Sequence, residues 1–502
     1  MSEIHLRILS TTDVHGEVFA FDYAKDMARP GRGLAQIATL IEDLRTPNTL
    51  LFDNGDMLEG SALADLAARG DLGKRHPIIA AMKAMKYDAM GLGNHEFNYG
   101  LTHLKATIAQ ANFPVLCANL SFETEFDLGH KADVALHRTF VDKKGLSHTL
   151  KIGVFSVIPP QTSAWDAAHL RDAARFDPMI SSSLTAIDRL RARGADIVVA
   201  LAHTGLGQND ENAGFDLRSL DGLDALILGH SHQVLGAHTQ TPVAYVQAGH
   251  RGSHLGVLDL ELTQSIDGWH CTAFRAEAQK TPKTLAVHTA VRHAAESAHA
   301  TTRDSMNEVI GTTATVISTE LGLVAPCTGL RLAADAFIAE TKRQLPDLKH
   351  PVLAAASPYA FNDGSSASVP KGPIRRRDLF ALCPYQNQFR VIEISGRGLR
   401  KWLIASSAAF STLNTSYRQL RLLSPEIPAY VFDAIYCLHY DIDLMAQIGP
   451  KRIVNLSYQG MPVEDDDIFY LATHAYRLGT KYPGSENAFT VVESAASERQ
   501  VI

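Results

Sequence analysis

Five short segments in the first half of this chain carry carboxylate, amide and imidazole side chains that can bind metal ions. Most of them follow a short apolar run that is typical of a buried strand, and stretches with helical spacing separate these runs. Alternating strands and helices predict parallel β-α-β units, whose ligands gather beyond the carboxyl ends of the strands. We therefore expect the five segments to converge on one edge of one sheet. They are Asp13-Val14-His15, Gly55-Asp56, Gly93-Asn94-His95-Glu96, Ala202-His203 and Gly229-His230-Ser231-His232.

The residue types in these segments suit a pair of divalent metal ions. Two cations held about 3.5–4 Å apart need a bridging carboxylate together with imidazole and oxygen donors. Asp56 is the candidate bridge, because a carboxylate offers two oxygens and a charge that offsets two cations. The other candidates form one set per ion: Asp13, His15 and His232 for the first, and Asn94, His203 and His230 for the second. This mixture, without cysteine, is compatible with Zn, Mn, Fe, Ni or Co and argues against a structural zinc site.

The expected chemistry is hydrolysis of a phosphoester. Two metals lower the pKa of a shared water molecule, so that a metal-bridging hydroxide attacks phosphorus near neutral pH. His95 directly follows a candidate ligand, and we assign it to the leaving group, as general acid or as a positively charged donor. Most of the 22 histidines must be bystanders. The candidate set differs from them because its members form ordered clusters at strand ends.

The motifs that contain these residues resemble the five blocks of the calcineurin-like metallophosphoesterases. They read TTDVHGE, DNGDMLEG, GLGNHEFNYG, ALAHTGLG and LGHSHQV. Over essentially the whole chain the sequence is similar to the 5′-nucleotidase superfamily, and within it to the bacterial 2′,3′-cyclic-nucleotide 2′-phosphodiesterase/3′-nucleotidases. Typical 5′-nucleotidases carry Asp at the position of Asn98, and the segments FDYAKD and IPPQTSAWD also point to the cyclic-nucleotide branch. The resemblance implies the same metal-ligand roles and the same catalytic role for His95.

The fold that the resemblance implies is α/β, with a four-layer metallophosphoesterase-type sandwich domain and a second α+β substrate-recognition domain. The length of 502 residues also favours two domains. We place the catalytic domain at 1–284, a linking helix at 285–307 and a 5′-nucleotidase-type C-terminal domain at 308–502. The helix prediction rests on an amphipathic pattern from Lys283 to Asn307, and the alternative is that this is simply the last helix of the first domain.

Substrate recognition is expected in the second domain, which contains no metal-ligand set. Tyr385 in CPYQNQF and Tyr476 in ATHAYR match the aromatic clamp of the family, and Asn387 would hydrogen-bond the base edge. Stacking on aromatic rings contributes about 1–3 kcal/mol per base. For a single tyrosine, half-buried packing is the alternative. Where 5′-nucleotidases place a Gly-Gly-Gly-Ile-Arg run, this chain has AASPYAFNDG, so it lacks an arginine that is also missing from the cyclic-nucleotide branch.

Composition and charge limit the partners and the location. A net charge of −7 gives no basic face for a nucleic-acid polymer, so a nucleotide or nucleoside phosphate is the expected partner. The five cysteines are scattered, which disfavours a disulfide framework. We expect no membrane partner and a monomer or weak oligomer. The N-terminus has no basic or apolar signal region, so we expect a cytoplasmic protein, with the periplasm as the alternative if a signal segment was removed.

The predicted function is metal-dependent hydrolysis of nucleotide phosphoesters, with 2′,3′-cyclic nucleotides and 3′-nucleotides as substrates. The enzymatic alternatives are a 5′-nucleotidase, a nucleotide-sugar hydrolase and a general phosphoesterase. A third alternative is an inactive nucleotide-binding protein that kept the fold. We disfavour it, because a degenerate site would have lost a ligand and none of the seven candidate ligands is missing.

Overall fold

Two units, Met1–Asp304 and Ser305–Ile502, make up the chain in a computed structural model. The structure describes residues 2–123, 125–236, 241–358, 366–383, 387–413, 421–424, 427, 429–479 and 482–502. Within these ranges, no helix is both long and apolar enough to cross a membrane. The finer division predicted at residues 284 and 307 stays a prediction.

The first unit alternates strands and helices over most of its length. Its strands are β1 Glu3–Thr11, β2 Phe21–Asp22, β3 Met27–Ala28, β4 Thr49–Asp53, β5 Ala89–Gly91, β6 Val115–Leu116, β7 Leu120–Phe122, β8 Asp133–Val141, β9 Ser147–Val157, β10 Ala174–Phe176, β11 Ile197–Ala202, β12 Ala225–Leu228, β13 Val234–Gly236, β14 Ala244–Ala248, β15 His254–Ser265 and β16 Gly268–Lys280. Its helices are α1 Leu34–Leu44, α2 Ala62–Ala68, α3 Pro77–Met85, α4 Leu101–Ile108, α5 Thr162–Trp165, α6 Ala167–Leu170, α7 Met179–Ala192, α8 Gly214–Leu217 and α9 Thr289–Asn307, the last of which ends in the second unit.

Two six-stranded sheets form the centre of the first unit, in the orders β16-β15-β1-β4-β5-β6 and β13-β14-β12-β11-β9-β8. Strands β1, β4, β5 and β6 run parallel, as do β9, β11, β12 and β14. Apolar side chains from both sheets, among them Phe52 and Leu201, share one buried core. Helix α7 packs on the outer face of the second sheet, and α1 contacts β15 of the first. The predicted four-layer sandwich is confirmed.

The candidate ligands follow strands of both sheets, so the expectation of a single sheet is wrong. Strands β1, β4 and β5 of the first sheet precede Asp13, Asp56 and Asn94, whereas β11 and β12 of the second precede His203 and His230. The sequence does not separate the sheets, because each strand is a buried apolar run in a parallel unit. The second sheet begins where β8 pairs antiparallel with β9, and no strand pattern distinguishes that hairpin from a continuation of the first sheet.

Helix α9 begins at Thr289, later than the predicted start at Lys283. The preceding segment instead contacts helix α1, where Gln36 Nε2 donates a hydrogen bond of 2.7 Å to the carbonyl of Leu285. In a helix this carbonyl would accept a bond from the next turn. The contact with α1 therefore replaces the first turns of the helix, although the apolar spacing continues through them.

The second unit is built around a smaller sheet. Its strands are β17 Val309–Thr313, β18 Ile317–Ser318, β19 Val352–Ala356, β20 Ser368–Val369, β21 Gly372–Arg375, β22 Gln388–Ser395, β23 Ala434–Tyr436, β24 His439–Ile442, β25 Ile453–Tyr458, β26 Met461–Pro462, β27 Ile468–His474 and β28 Phe489–Ser497. Its helices are α10 Thr328–Gln344, α11 Arg376–Leu382, α12 Gly396–Ser406, α13 Ala475–Gly479 and α14 Glu498–Val501.

A mixed five-stranded sheet, β23-β19-β27-β22-β28, carries helices on both faces. Adjacent residues of β19 enter different cores, because successive side chains of a strand point to opposite faces. Leu353 packs in a cluster with Trp402 of α12, whereas Ala354 packs in a cluster with Phe337 of α10. This arrangement confirms the predicted α+β second domain.

His76 is a buried histidine at the start of helix α3 in the first unit. It is 6% exposed, and neither of its ring nitrogens has a hydrogen-bond partner among the described residues. Burial, together with the nearby His103 ring, lowers the pKa of His76 to about 3. The ring is therefore neutral in the folded protein at every pH at which an unfolded histidine becomes protonated.

Replacing His76 with Gln should weaken the pH dependence of stability. As pH falls below the unfolded pKa of about 6.5, the unfolded state of the parent binds a proton that the folded state rejects, so stability is lost. We expect the free energy of unfolding to fall by about 1–2 kcal/mol less between pH 7 and pH 5 in His76→Gln than in the parent. Urea unfolding of metal-free protein at both pH values measures this. His137→Gln, at an exposed strand position, is the control, and equal pH slopes for His76→Gln and parent would contradict the assignment.

Candidate metal centre

Five of the seven candidate ligands have a left-handed backbone, with φ of 51° at Asp13, 54° at His15, 53° at Asp56, 65° at His230 and 56° at His232. Positive φ is uncommon for residues other than glycine, and Asp, Asn and His tolerate it better than most. Such conformations cost on the order of 1–3 kcal/mol each and cluster at functional sites. The chain thus makes the same unfavourable turn after β1, after β4 and after β12.

The loops that carry the ligands hold one another by backbone hydrogen bonds. The N–H of Asp13 donates to the Gly55 carbonyl (2.9 Å), and the N–H of His15 donates to the Asp56 carbonyl (2.8 Å). Glycine is required where these loops meet, because a Cβ on Gly93 would lie 2.3 Å from Asp56 Oδ1. The close approach of three loops therefore fixes the backbone position of each candidate ligand that they carry.

Asp13, His15 and His232 form one group of potential ligands, whose donor atoms all lie within 4.8 Å of one another. The two Nε2 atoms of His15 and His232 are 3.1 Å apart, and His232 Nε2 is 3.4 Å from Asp13 Oδ1. Two imidazole lone pairs cannot face each other at this distance unless a proton or a cation lies between them. This donor set therefore fits a metal ion.

Asp13, Asp56 and His203 form a second group within the same distance limit. His203 Nε2 lies 3.0 Å from Asp56 Oδ2 and 3.8 Å from Asp13 Oδ1, yet it makes no hydrogen bond of acceptable geometry with any described residue. The other ring nitrogen of His203 is 2.7 Å from the Asn54 carbonyl, which orients the ring. An aimed, buried Nε2 between two carboxylates is the geometry of a metal ligand.

The other two candidates of the second set contact each other. His230 Nδ1 is 2.9 Å from Asn94 Oδ1, and the backbone N–H of His230 donates to Asp13 Oδ1 at 3.0 Å. The structure therefore brings all seven candidates to one place. Asp13 belongs to both groups of three, whereas Asp56 groups with Asp13 and His203.

The two carboxylates attract positive charge. Burial raises the pKa of Asp56, but the rings of His203 and His95 outweigh it and hold that pKa well below its usual value. Burial lowers the pKa of His203, but Asp56 and Asp13 outweigh it and raise the pKa to about 10. A divalent cation supplies the same charge and displaces the proton from the ligand, so metal binding and proton release are coupled here.

His95 stands beside these groups with a partly exposed side chain. Its backbone N–H donates to Asp56 Oδ1 at 2.8 Å, and its Nδ1 lies 2.7 Å from Asn98 Oδ1 and 3.4 Å from Glu59 Oε2. Burial lowers the pKa of His95, but the carboxylates of Asp56 and Glu59 outweigh it and raise the pKa to about 9. The ring is thus placed to carry a proton next to the candidate bridge.

Glu96 is a structural residue whose role was not predicted from the sequence. Its fully buried carboxylate accepts hydrogen bonds from the backbone N–H groups of Asp56 (2.8 Å), Met57 (2.7 Å), Leu58 (3.0 Å) and Gly93 (2.6 Å). These bonds hold the loop after β4 against the loop after β5. The sequence feature that could have pointed to Glu96 is its position in the segment Gly93 to Glu96, next to candidate ligands.

Three further residues lie at the site, and Glu211 and Trp165 among them were not predicted as site residues. Glu211 Oε1 lies 3.1 Å from His230 Nε2, on the side of the ring away from Asn94. The ring of Trp165 is stacked on His230, with centroids 5.5 Å apart, and His250 is stacked on His232 at 4.7 Å. A carboxylate behind a ligating histidine fixes its tautomer. Glu211 lies in a polar loop with no pattern that singles it out.

The predicted substrate residues stay predictions. Tyr385 lies outside the described residues. Asn387 donates from its side-chain Nδ2 to Glu498 Oε2 at 3.1 Å, so this side-chain amide is oriented by the C-terminal helix α14. The backbone carbonyl of Asn387 accepts the N–H of Glu498 at 2.9 Å. Tyr476 lies on the short helix α13 and is 40% exposed, with its ring parallel to His474 at 6.3 Å.

Comparison with known proteins places both units in described families. Residues 6–234 match the family described as calcineurin-like phosphoesterase, and residues 309–486 match the 5′-nucleotidase C-terminal domain. A 2′,3′-cyclic-nucleotide 2′-phosphodiesterase/3′-nucleotidase of Yersinia enterocolitica is 32% identical, over 99% of this chain and 84% of its own length. The trifunctional nucleotide phosphoesterase protein YfkN of Bacillus subtilis is 29% identical over 100% of this chain, which spans 38% of that protein. The crystal structure of a putative 5′-nucleotidase from Staphylococcus aureus shares the fold, with a TM-score of 0.81 and 22% identity over 99% of this chain and 95% of that one.

The two-sheet core and the buried carboxylate–imidazole cluster define this protein as a calcineurin-like phosphoesterase, a class of divalent-metal-dependent hydrolases. Within that class the chain belongs to the family of the 2′,3′-cyclic-nucleotide 2′-phosphodiesterase/3′-nucleotidases. The resemblance identified from the motifs is confirmed.

Replacing Glu96 with Gln should destabilise the loops that carry the candidate ligands. An amide keeps one acceptor oxygen, so two of the four N–H groups that Glu96 binds would face an NH2 group instead. Two buried donors without acceptors cost about 2–4 kcal/mol. Urea unfolding of chelator-treated protein measures the loss, with Glu296→Gln on the exposed face of α9 as the control. A loss below about 0.5 kcal/mol would show that Glu96 does not hold these loops.

Proposed function

We propose that this protein hydrolyses nucleotide phosphoesters, with 2′,3′-cyclic nucleotides and 3′-nucleotides as its substrates. The single observation that carries the proposal is the convergence of Asp13, Asp56 and His203 with His15 and His232 at the ends of strands from two sheets. Three relatives that match at least 99% of this chain carry the name of that activity.

Two divalent ions would occupy the site, one for each of the two ligand sets predicted from the sequence. Asp13, His15 and His232 would hold the first, and Asn94, His203 and His230 the second, with Asp56 between them. When bound, such ions supply a nucleophilic hydroxide at neutral pH and neutralise the phosphoryl oxygens. Zn, Mn, Fe, Ni and Co all suit this mixture of imidazole, carboxylate and amide ligands.

His95 would serve the leaving group. The departing ribose oxygen of a nucleotide is strongly basic, so a proton or a positive donor at this oxygen lowers the barrier. His95 has the required features: a partly exposed ring, a backbone N–H bound to Asp56 and a pKa raised to about 9. In this role it contacts the substrate and leaves metal binding to its neighbour Asn94.

The recognition of the nucleoside is proposed for the C-terminal domain at 308–502, with the chemistry at 1–284 and the helix at 285–307 as the link. Tyr385 and Tyr476 would stack on the base, and Asn387 would hydrogen-bond its edge. The bond from Asn387 Nδ2 to Glu498 supports this for Asn387, because it fixes the amide in one orientation.

A substrate panel tests the proposed function directly. Metal-stripped protein is reconstituted with one metal at a time and assayed with 2′,3′-cyclic AMP, 3′-AMP, 5′-AMP and UDP-glucose. We expect kcat/KM for the first two to exceed that for the last two by at least about tenfold, because a tenfold preference needs only 1.4 kcal/mol of differential transition-state binding. Preference for 5′-AMP or UDP-glucose would contradict the substrate assignment. Binding of nucleotides without turnover under every metal would indicate an inactive binding protein.

Removing the candidate bridge should remove the metal as well as the activity. Asp56→Asn preserves the shape but withdraws the negative charge that holds two cations together. We expect metal content per chain after dialysis to fall by at least half and kcat to fall by about a thousandfold or more. Inductively coupled plasma mass spectrometry measures the metal content, and Asp71→Asn at an exposed position is the control. Full metal content with full activity in Asp56→Asn would refute the bridge.

A further inference from the structure

His95 is the first member of a chain of three polar side chains. Its Nδ1 lies 2.7 Å from Asn98 Oδ1, and Asn98 Nδ2 donates to both carboxylate oxygens of Asp166, each at 2.9 Å. Asn98 and Asp166 are 68 positions apart in the sequence. Asp166 is 2% exposed, so this carboxylate lies behind the site rather than in solvent.

The direction of each hydrogen bond in this chain follows from chemistry. An ionised carboxylate can only accept hydrogen bonds, so the NH2 group of Asn98 must face Asp166 and its oxygen must face His95. That oxygen can only accept, so the proton is on Nδ1 of His95 whether the ring is neutral or charged. Glu59 Oε2, which lies 3.4 Å from the same nitrogen, is also an acceptor. The second ring nitrogen, Nε2, is then the one that exchanges a proton with a substrate.

The backbone on both sides of Asp166 is hydrogen-bonded. Its N–H donates to the Thr162 carbonyl at 3.1 Å, and its own carbonyl accepts the N–H of His169 at 2.8 Å. Thr162 is fully buried and donates from Oγ1 to the Pro159 carbonyl at 2.7 Å. The turn between α5 and α6 therefore presents the Asp166 carboxylate to Asn98 from a hydrogen-bonded backbone.

The same turn touches the site a second time. Trp165, directly before Asp166, has its ring stacked on His230 at an interplanar angle of 17°. Two successive residues of one short segment thus position two imidazoles of the site, His95 through Asn98 and His230 by direct stacking. One short segment can therefore align both of these rings.

We propose that Asp166 is a positioning residue for the hydrolysis. It fixes the amide of Asn98, which in turn keeps the Nδ1 proton of His95 in place and leaves Nε2 for the oxygen of the leaving group. The inference rests on the proposed function, in which His95 assists the leaving group. It adds a residue from a different part of the chain and a defined tautomer.

Kinetics on leaving groups of different basicity separate this role from a structural one. The metal-loaded protein is assayed with 2′,3′-cyclic AMP and with two aryl phosphodiesters, whose leaving groups are phenolate and p-nitrophenolate. General acid assistance matters most for the more basic leaving groups. Asp166→Asn should lower kcat about 10–100-fold for 2′,3′-cyclic AMP and for the phenolate ester. For the p-nitrophenolate ester the loss should be less than about threefold. KM, metal content and Tm should stay close to those of the parent.

A reversed pair provides the rescue. Asn98→Asp alone places two carboxylates against each other and should also lower kcat. Combining Asn98→Asp with Asp166→Asn restores an acceptor at His95 and a donor behind it, so the double variant should recover most of the kcat that each single variant loses. Asp172→Asn, the same change at an exposed position beyond α6, is the control and should match the parent.

Three results would overturn the proposal: an unchanged kcat for Asp166→Asn on the phenolate ester, equal losses for both aryl esters, or a double variant no faster than Asp166→Asn. The aryl esters need no recognition of a nucleoside. If the parent hydrolyses them but neither 2′,3′-cyclic AMP nor 3′-AMP, the proposed function fails while the leaving-group comparison still decides the role of Asp166.

Discussion

Two carboxylates, Asp13 and Asp56, are fully buried at the ends of neighbouring parallel strands. The rest of the site compensates their negative charge. Burying an ionised carboxylate costs several kcal/mol unless it is paired. Here the pairing comes from imidazoles, above all His203, and from backbone N–H groups such as that of His230. A divalent cation compensates the same negative charge, and it carries more positive charge than a protonated imidazole. The site is therefore best understood as a cage for positive charge, formed before any substrate arrives.

The cage imposes strain on the chain, and the fold offsets it locally. Left-handed backbone at five ligand positions would open the loops if nothing else held them. Glu96 counters this by accepting four backbone N–H bonds, three from the loop after β4 that contains Asp56 and one from the loop after β5. Sequence segments of three or four residues can therefore carry most of the site, because each segment supplies a ligand and also part of the support for its neighbour.

The metal-ligand candidates could be predicted from the sequence because their signal is local. An apolar run that stops at Asp, Asn or His marks a strand end with a ligand. The same sequence pattern recurs in the segments from Asp13 to His230. The two-sheet arrangement had no such sign, since buried parallel strands look alike in either sheet. The support residues were hidden for another reason. Asp166 contacts Asn98 across 68 positions, and a single carboxylate between two short helices has no local pattern that distinguishes it.

We propose that two neighbouring ions share Asp56, and anomalous diffraction from crystals of the metal-loaded protein locates such ions. Data collected at the absorption edge of the loaded metal should show two peaks about 3.5–4 Å apart, both within ligand distance of Asp56, one beside His15 and His232 and the other beside Asn94 and His203. A single peak, or peaks that leave Asp56 without a metal, would show that no pair of ions shares this carboxylate.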